Sequence, residues 1–126
     1  MSEQAAQTFI EALSRLEADG DPEPLVGLFA DDSECDNVTS TSPKRGPDGA
    51  REFWSEDRAL FDQIRSEFRN VVAMTDRVAL EWTRAGTAHD GADVHLEGVS
   101  ILELSDGRIT RFKAYVDPSE VGRQAI

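Results

Sequence analysis

A single cysteine, Cys35, in 126 residues leaves no pair for a disulfide and no thiol cluster for zinc. Basic residues are scarce as well: 13 Lys and Arg stand against 25 Asp and Glu, giving a formal charge of −12. Neutralising phosphates needs clustered Lys and Arg, so a nucleic-acid partner is excluded, and an anionic membrane surface would repel the chain. No apolar run approaches the roughly 20 residues that span a bilayer, and the opening MSEQAAQTF lacks the basic-then-apolar order of a secretory signal. The expectation is a soluble, cytoplasmic protein. Also missing are a Gly-rich phosphate loop, a G-x-S-x-G elbow and an H-E-x-x-H pair. No internal repeat or low-complexity tract divides the chain, so residues 1–126 read as one domain, long enough to bury roughly two-thirds of its unfolded surface.

The first third is helical in pattern. Phe9, Ile10, Leu13 and Leu16 form one stripe, and Gly20 supplies a stop. A second helix is expected at once, with Asp21 as N-cap, Pro22 in its first turn, an apolar face of Leu25, Val26, Leu28 and Phe29, and Asp31 and Asp32 at its end. Residues 33–38 then read as a short strand, and the Ser, Thr, Pro and Gly of 39–49 as a surface loop. A third helix is expected to carry Phe53, Trp54, Leu60, Phe61 and Ile64, with Arg51, Glu52, Glu56, Asp57 and Arg58 between them. From residue 66 the period changes to two, which predicts strands near 66–75, 77–87, 93–104 and 108–117 joined by tight turns. Short joints mean antiparallel neighbours. Gly86 and Gly98, inside strand patterns, mark bulges or bends. The fold class is α+β: three N-terminal helices covering the concave face of a bent antiparallel sheet, with a hollow between the layers.

Some chemistry can be weighed from spacing. Residues 17–36 hold eight acids and no base, but an EF-hand counted from Glu17 would put Pro22 where Gly belongs and Leu28 where Glu belongs. These acids read as helix caps and a solvated face, and no metal is expected. His95 and Glu97 share one strand face and admit an acid–base pair; the competing reading is an outer face, because Val94, Leu96, Ser100, Leu102 and Leu104 form the more apolar side. His89 falls in an exposed turn. Trp82 and Arg84 also share a face, and three readings stay open for them: a cavity wall with a cation for an enolate-like group, a subunit interface, or core packing.

The run LVGLFADDSECDNV at 25–38, GPDGAREFW after the loop, and the ending DGRITRFKAYVDPSEV resemble the nuclear transport factor 2-like superfamily, in its branch of SnoaL-like polyketide cyclases, ketosteroid isomerases and limonene epoxide hydrolases. The resemblance covers about residues 6–121 and implies a cone-shaped α+β fold and a pocket between helices and sheet. It implies too a small apolar ligand of polyketide, steroid or terpenoid kind, no cofactor, and a homodimer through the outer face of the sheet.

Carried over by position, the isomerase aspartate falls on Asn37 with Asp36 beside it, and its oxyanion donors fall near Ala12 and on Ser100. The arginine and aspartate of the epoxide hydrolase fall on Trp82 and Arg84, and its water-activating aspartate on Ala114, as does the cyclase aspartate, while its asparagine matches Asn37. Asp117 reads as a cap for the turn at Pro118. Asn37, Arg84 and Asp36 are thus the candidate catalytic residues, orienting group, cation and base respectively, and Trp54, Trp82, Ser100, Phe112 and Ala114 the candidate ligand-binding ones. The function implied is a cofactor-independent isomerase, cyclase or hydrolase. The alternative is a binding or dimerisation module whose hollow is filled by Trp54, Phe61, Trp82 and Phe112.

Overall fold

Helix α1 spans Ser2–Asp19 because Ala6, Phe9, Leu13 and Leu16 recur at helical spacing and are all buried on one stripe. Gly20 stops it in the left-handed region (φ 79°), donating its N–H to the Leu16 carbonyl at 2.8 Å. These coordinates of a computed structural model describe residues 2–38 and 42–116; Asp117, read above as a cap, lies outside them. After α1 come α2 (Glu23–Val26), β1 (Phe29–Asn37), β2 (Lys44–Arg45), α3 (Gly46–Ala59), β3 (Phe61–Ala73), β4 (Arg77–Ala88), β5 (Asp93–Ser105) and β6 (Arg108–Val116).

Helix α2 is a single turn. Pro22 occupies its N-cap position, and Asp21, one residue earlier, accepts the Glu23 N–H at 3.0 Å, so the expected capping group acts from just outside. The expected apolar helical face out to Phe29 is overturned. Phe29 instead opens β1 opposite Ile109 of β6, and Asp31 and Asp32 lie on the exposed stretch of that strand. Pairing along β6 wins over the helical period of a segment too short to hold a helix by itself.

The four expected C-terminal strands form an antiparallel meander, extended by β1 and β2 into one curved, unclosed sheet of order β2-β1-β6-β5-β4-β3. β1 runs parallel to β6, which no short turn could have signalled. A second correction concerns Phe61 and Ile64, expected on the third helix. Both belong to β3, where a register shift between Phe61 and Gln63 turns residues three apart to the same face and imitates helical spacing.

Gly86 and Gly98 mark close approach, not bulges of their own strand: the β4–β5 register runs unbroken from Arg77↔Glu103 to Thr87↔Asp93. A Cβ on Gly86 would stand 1.9 Å from the Gln63 carbonyl oxygen, and one on Gly98 would stand 2.5 Å from both the Trp82 ring and the Tyr115 carbonyl oxygen. Gly98 therefore lets the Trp82 indole lie across β5. The core gathers under α1 and α3, where Trp54 packs 5.0 Å from Phe53 and 5.0 Å from Phe112 between ring centroids. A second cluster of Phe61, Ile64, Trp82, Val94 and Leu96 fills the opposite end, and Phe68 packs against both.

Gly98→Ala should destabilise the fold by about 1–3 kcal/mol, the usual cost of forcing an atom into a packed core. A denaturant titration that places it level with the parent would show that the Trp82 ring has room to move.

The corner between α3 and β3 is held from outside by His89, whose Nε2 lies 2.6 Å from the Ala59 carbonyl oxygen and whose Nδ1 lies 2.9 Å from Asp62 Oδ1. Two acceptors favour the doubly protonated ring, so the Ala59 carbonyl first and the Asp62 carboxylate second raise the His89 pKa above its ordinary 6.5, against Arg58. The stability this adds is complete below the unfolded value and declines as pH rises through the raised one. Thermal midpoints of the parent and of His89→Ala, measured from mildly acidic to mildly alkaline pH, should converge on the alkaline side. A gap that is constant with pH would contradict a charged His89.

Candidate functional site

Every phenylalanine and tryptophan except Phe29 lines one cavity of about 120 Å³ between the helices and the concave side of the sheet. A dry cavity of about 150 Å³ accepts benzene, so this one is on the scale of a single ring. Phe9 and Leu13 come from α1, Phe53, Trp54 and Asp57 from α3, Leu60 from just after it, and the rest from the sheet. Leu60, 41% exposed just after α3, stands where the wall meets solvent.

All five residues expected to bind ligand line this cavity: Trp54, Trp82, Ser100, Phe112 and Ala114. Asn37 lines it too, for strand alternation turns Ser33, Cys35 and Asn37 inward. The same alternation removes Asp36, the expected base. Its side chain leaves the cavity face, and its Oδ1 accepts the Asn37 backbone N–H at 2.8 Å. Cys35 is no nucleophile either: burial first, then the Asp36 charge, pushes its thiol pKa far up, with the Trp54 indole opposing.

Across the sheet Asn37 pairs with Ala114, and Ala114 with Ser100, so an amide and a hydroxyl flank a position with no side chain beyond Cβ. Trp82 Nε1 donates to Ser100 Oγ at 2.9 Å. An indole N–H can only donate, so Ser100 accepts there and keeps its own proton to give elsewhere.

Arg84 lines the cavity as expected, but not as an uncommitted cation. Its Nη1 donates to Asp57 Oδ1 at 2.9 Å, and its Nη2 to Asp57 Oδ2 at 3.0 Å and to Glu17 Oε2 at 3.2 Å. The guanidinium also stands 5.4 Å over the Phe61 ring. Burial works against its charge most strongly, yet the Asp57 and Glu17 carboxylates outweigh that, and its pKa lies above the ordinary arginine value. Ser66, paired with Arg84 across the strands, gives Glu17 both its backbone N–H, at 3.0 Å, and its hydroxyl.

Glu17 and Asp57 are the functional groups that sequence reasoning missed. One was grouped with a solvated acidic run, the other with the charges between apolar positions of the third helix. Yet Glu17 follows Phe9 and Leu13 at intervals of four, and Asp57 follows Phe53 at four, so helical arithmetic already places both on buried stripes. Their side chains are 7% and 22% exposed. Asp57 lines the cavity, whereas Glu17 sits behind it.

His95 and Glu97 lie exposed on the outer face, away from the cavity, as the apolar alternation of their strand implied. His89 is exposed, also as expected. Among the described residues no three or more His, Cys, Asp or Glu side chains gather as a metal site, and no helix is long and apolar enough to cross a membrane.

Solved structures share this architecture. TerC, co-crystallised with polyporic acid, superposes with a TM-score of 0.83 at 21% identity over 98% of this chain and 97% of its own. A putative isomerase from Rhodopseudomonas palustris gives 0.84 at 20% identity, over 99% and 98%. An NTF2-like protein from Anabaena variabilis gives 0.83 at 15% identity, over 92% and 89%. No curated protein matches the chain in sequence. The family model described as "SnoaL-like domain" matches residues 6–112, and the chain therefore belongs to the SnoaL-like family, on the nuclear transport factor 2-like fold.

Proposed function

We propose that this protein binds an apolar, ring-sized molecule in its cavity and moves a proton on it without a cofactor, as an isomerase, cyclase or hydrolase. One observation carries the reading: the Asp57 carboxylate faces a cavity whose wall is otherwise aromatic, aliphatic and uncharged apart from its own partner Arg84. Asp57 takes the role of base, in place of Asp36. Arg84 fixes that carboxylate by a two-pronged contact and is a positioning residue. Ser100, its acceptor side already used by Trp82, offers its O–H to a ligand oxygen, and Asn37 offers an amide across the Ala114 gap. The structures of TerC with polyporic acid and of the putative isomerase support a small-molecule pocket on this fold.

The competing reading, a module with a filled hollow, has less support. Trp54, Phe61, Trp82 and Phe112 stand in the wall and leave space between them. A panel of polyketide-, steroid- and terpenoid-like ketones and epoxides, extended to single-ring analogues, tests the choice. Turnover is expected for at least one, with Asp57→Asn lowering it by about 10²–10⁴-fold, the range of a lost acid–base group, at an unchanged fold. Ring compounds that quench Trp54 and Trp82 fluorescence but are never turned over would mean a binding module.

We also propose a homodimer through the outer sheet face, supported by Val99 and Tyr115, which are exposed and paired directly across β5 and β6. Light scattering should report twice the chain mass for the parent and a single chain for Val99→Lys. A monomeric parent refutes the dimer.

A further inference from the structure

At Arg84 itself the charges in direct contact do not cancel. Arg84 brings one positive charge and meets two carboxylates, Asp57 in the wall and Glu17 behind it. All three side chains are largely buried, so water screens the surplus weakly. Glu17 accepts three hydrogen bonds, from the Ser66 N–H and O–H and from Arg84 Nη2. The remaining walls, aromatic, aliphatic or neutral polar, bring no formal charge. An anionic ligand would be a third negative charge beside a guanidinium already countered twice. A cationic one would complete the set.

We propose that the ligand of this cavity is a small ring-bearing amine held as its ammonium, with Asp57 as its direct counterion and Glu17 as the residue that sets the charge preference. The proposal rests on the pocket reading given above and replaces its purely apolar ligand with a ring that carries one cationic group. It also gives Glu17 a purpose. Arg84 and Asp57 alone would make a neutral pair, and the second carboxylate turns a neutral wall into one that selects cations. A carboxylate accepts about four hydrogen bonds, so Asp57 can take an ammonium N–H while it keeps both contacts with Arg84.

Three single-ring probes of nearly one size separate charge from shape: benzylammonium, benzyl alcohol and benzoate, titrated at neutral pH against the intact protein by calorimetry and by Trp54 and Trp82 fluorescence. Benzylammonium should bind about tenfold more tightly than benzyl alcohol, as a desolvated cation with a carboxylate partner does, and benzoate should bind weakest. Glu17→Gln should remove about tenfold from benzylammonium and leave benzyl alcohol unchanged. Asp57→Asn, at a less buried position, should do the same where Glu17→Gln fails to fold. Benzoate binding as tightly as benzylammonium, or an ammonium affinity indifferent to Asp57→Asn, would overturn the charge assignment. Benzyl alcohol binding with no ammonium preference would overturn it and leave the pocket reading intact, whereas no binding by any probe would remove both.

Discussion

Arg84 is where the two layers of this protein are tied. It projects from β4 toward the helices and meets Asp57 of α3 and Glu17 of α1, while Ser66 of β3 closes the ring by donating to Glu17. The apolar contacts between the layers tolerate small slides. A guanidinium between two carboxylates does not, because each hydrogen bond is directional and an unmatched buried charge costs about 3–5 kcal/mol. Such a cluster adds little net stability over a well-packed hydrophobic one, since desolvation consumes most of the Coulombic gain. What it adds with certainty is registration: the ends of α1 and α3 are fixed relative to β4, and the cavity between them acquires a defined shape.

That registration explains why a void survives among so many aromatic rings. Phe9 and Phe112 stack, and the other contacts among Phe9, Phe53, Trp54 and Phe112 are edge to face, filling the space under the helices. Phe61, Trp82 and Leu96 form a separate group around the Arg84 end. Trp82 cannot swing into the gap, since its ring lies against Gly98 and its N–H is tied to Ser100. The groups are therefore held apart, one by packing and one by polar ties, and the space between them is the site.

Much of this was legible in the residues. The buried stripe of α1, the change from helical to alternating period and the tight turns of the meander follow from local spacing, which also puts Trp82 with Arg84 on one face and Ser100 on the apolar side of its strand, whereas Asn37 and Ala114 came from the family resemblance. The misses share one cause, that the partner lay far away in the chain. Phe29 is a strand residue because of Ile109, and Phe61 and Ile64 are strand residues because a register shift against β4 lets residues three apart face the same way. Glu17 and Asp57 lie 67 and 27 residues from the arginine that draws them inside. Acidic residues on an apolar stripe look like solvated ones until a buried cation is placed opposite. The expectation of Arg84 in the cavity carried that information, since a buried guanidinium demands a carboxylate.

The same cluster accounts for the empty positions. By the resemblance, the isomerase acids fall on Asn37 and Ser100 and the last-strand acid of the hydrolase and cyclase on Ala114, all uncharged here, while the other hydrolase aspartate falls on Arg84. Charge has not vanished from the interior but sits on the helical side, where α1 and α3 supply Glu17 and Asp57. On the helices both carboxylates share Arg84. Concentrating the ionised groups at one end leaves the other to hydrogen-bond donors and acceptors without formal charge, Asn37 and Ser100. A ligand in the cavity would meet Asp57 and Arg84 and, on the sheet, the uncharged polar groups of Asn37 and Ser100.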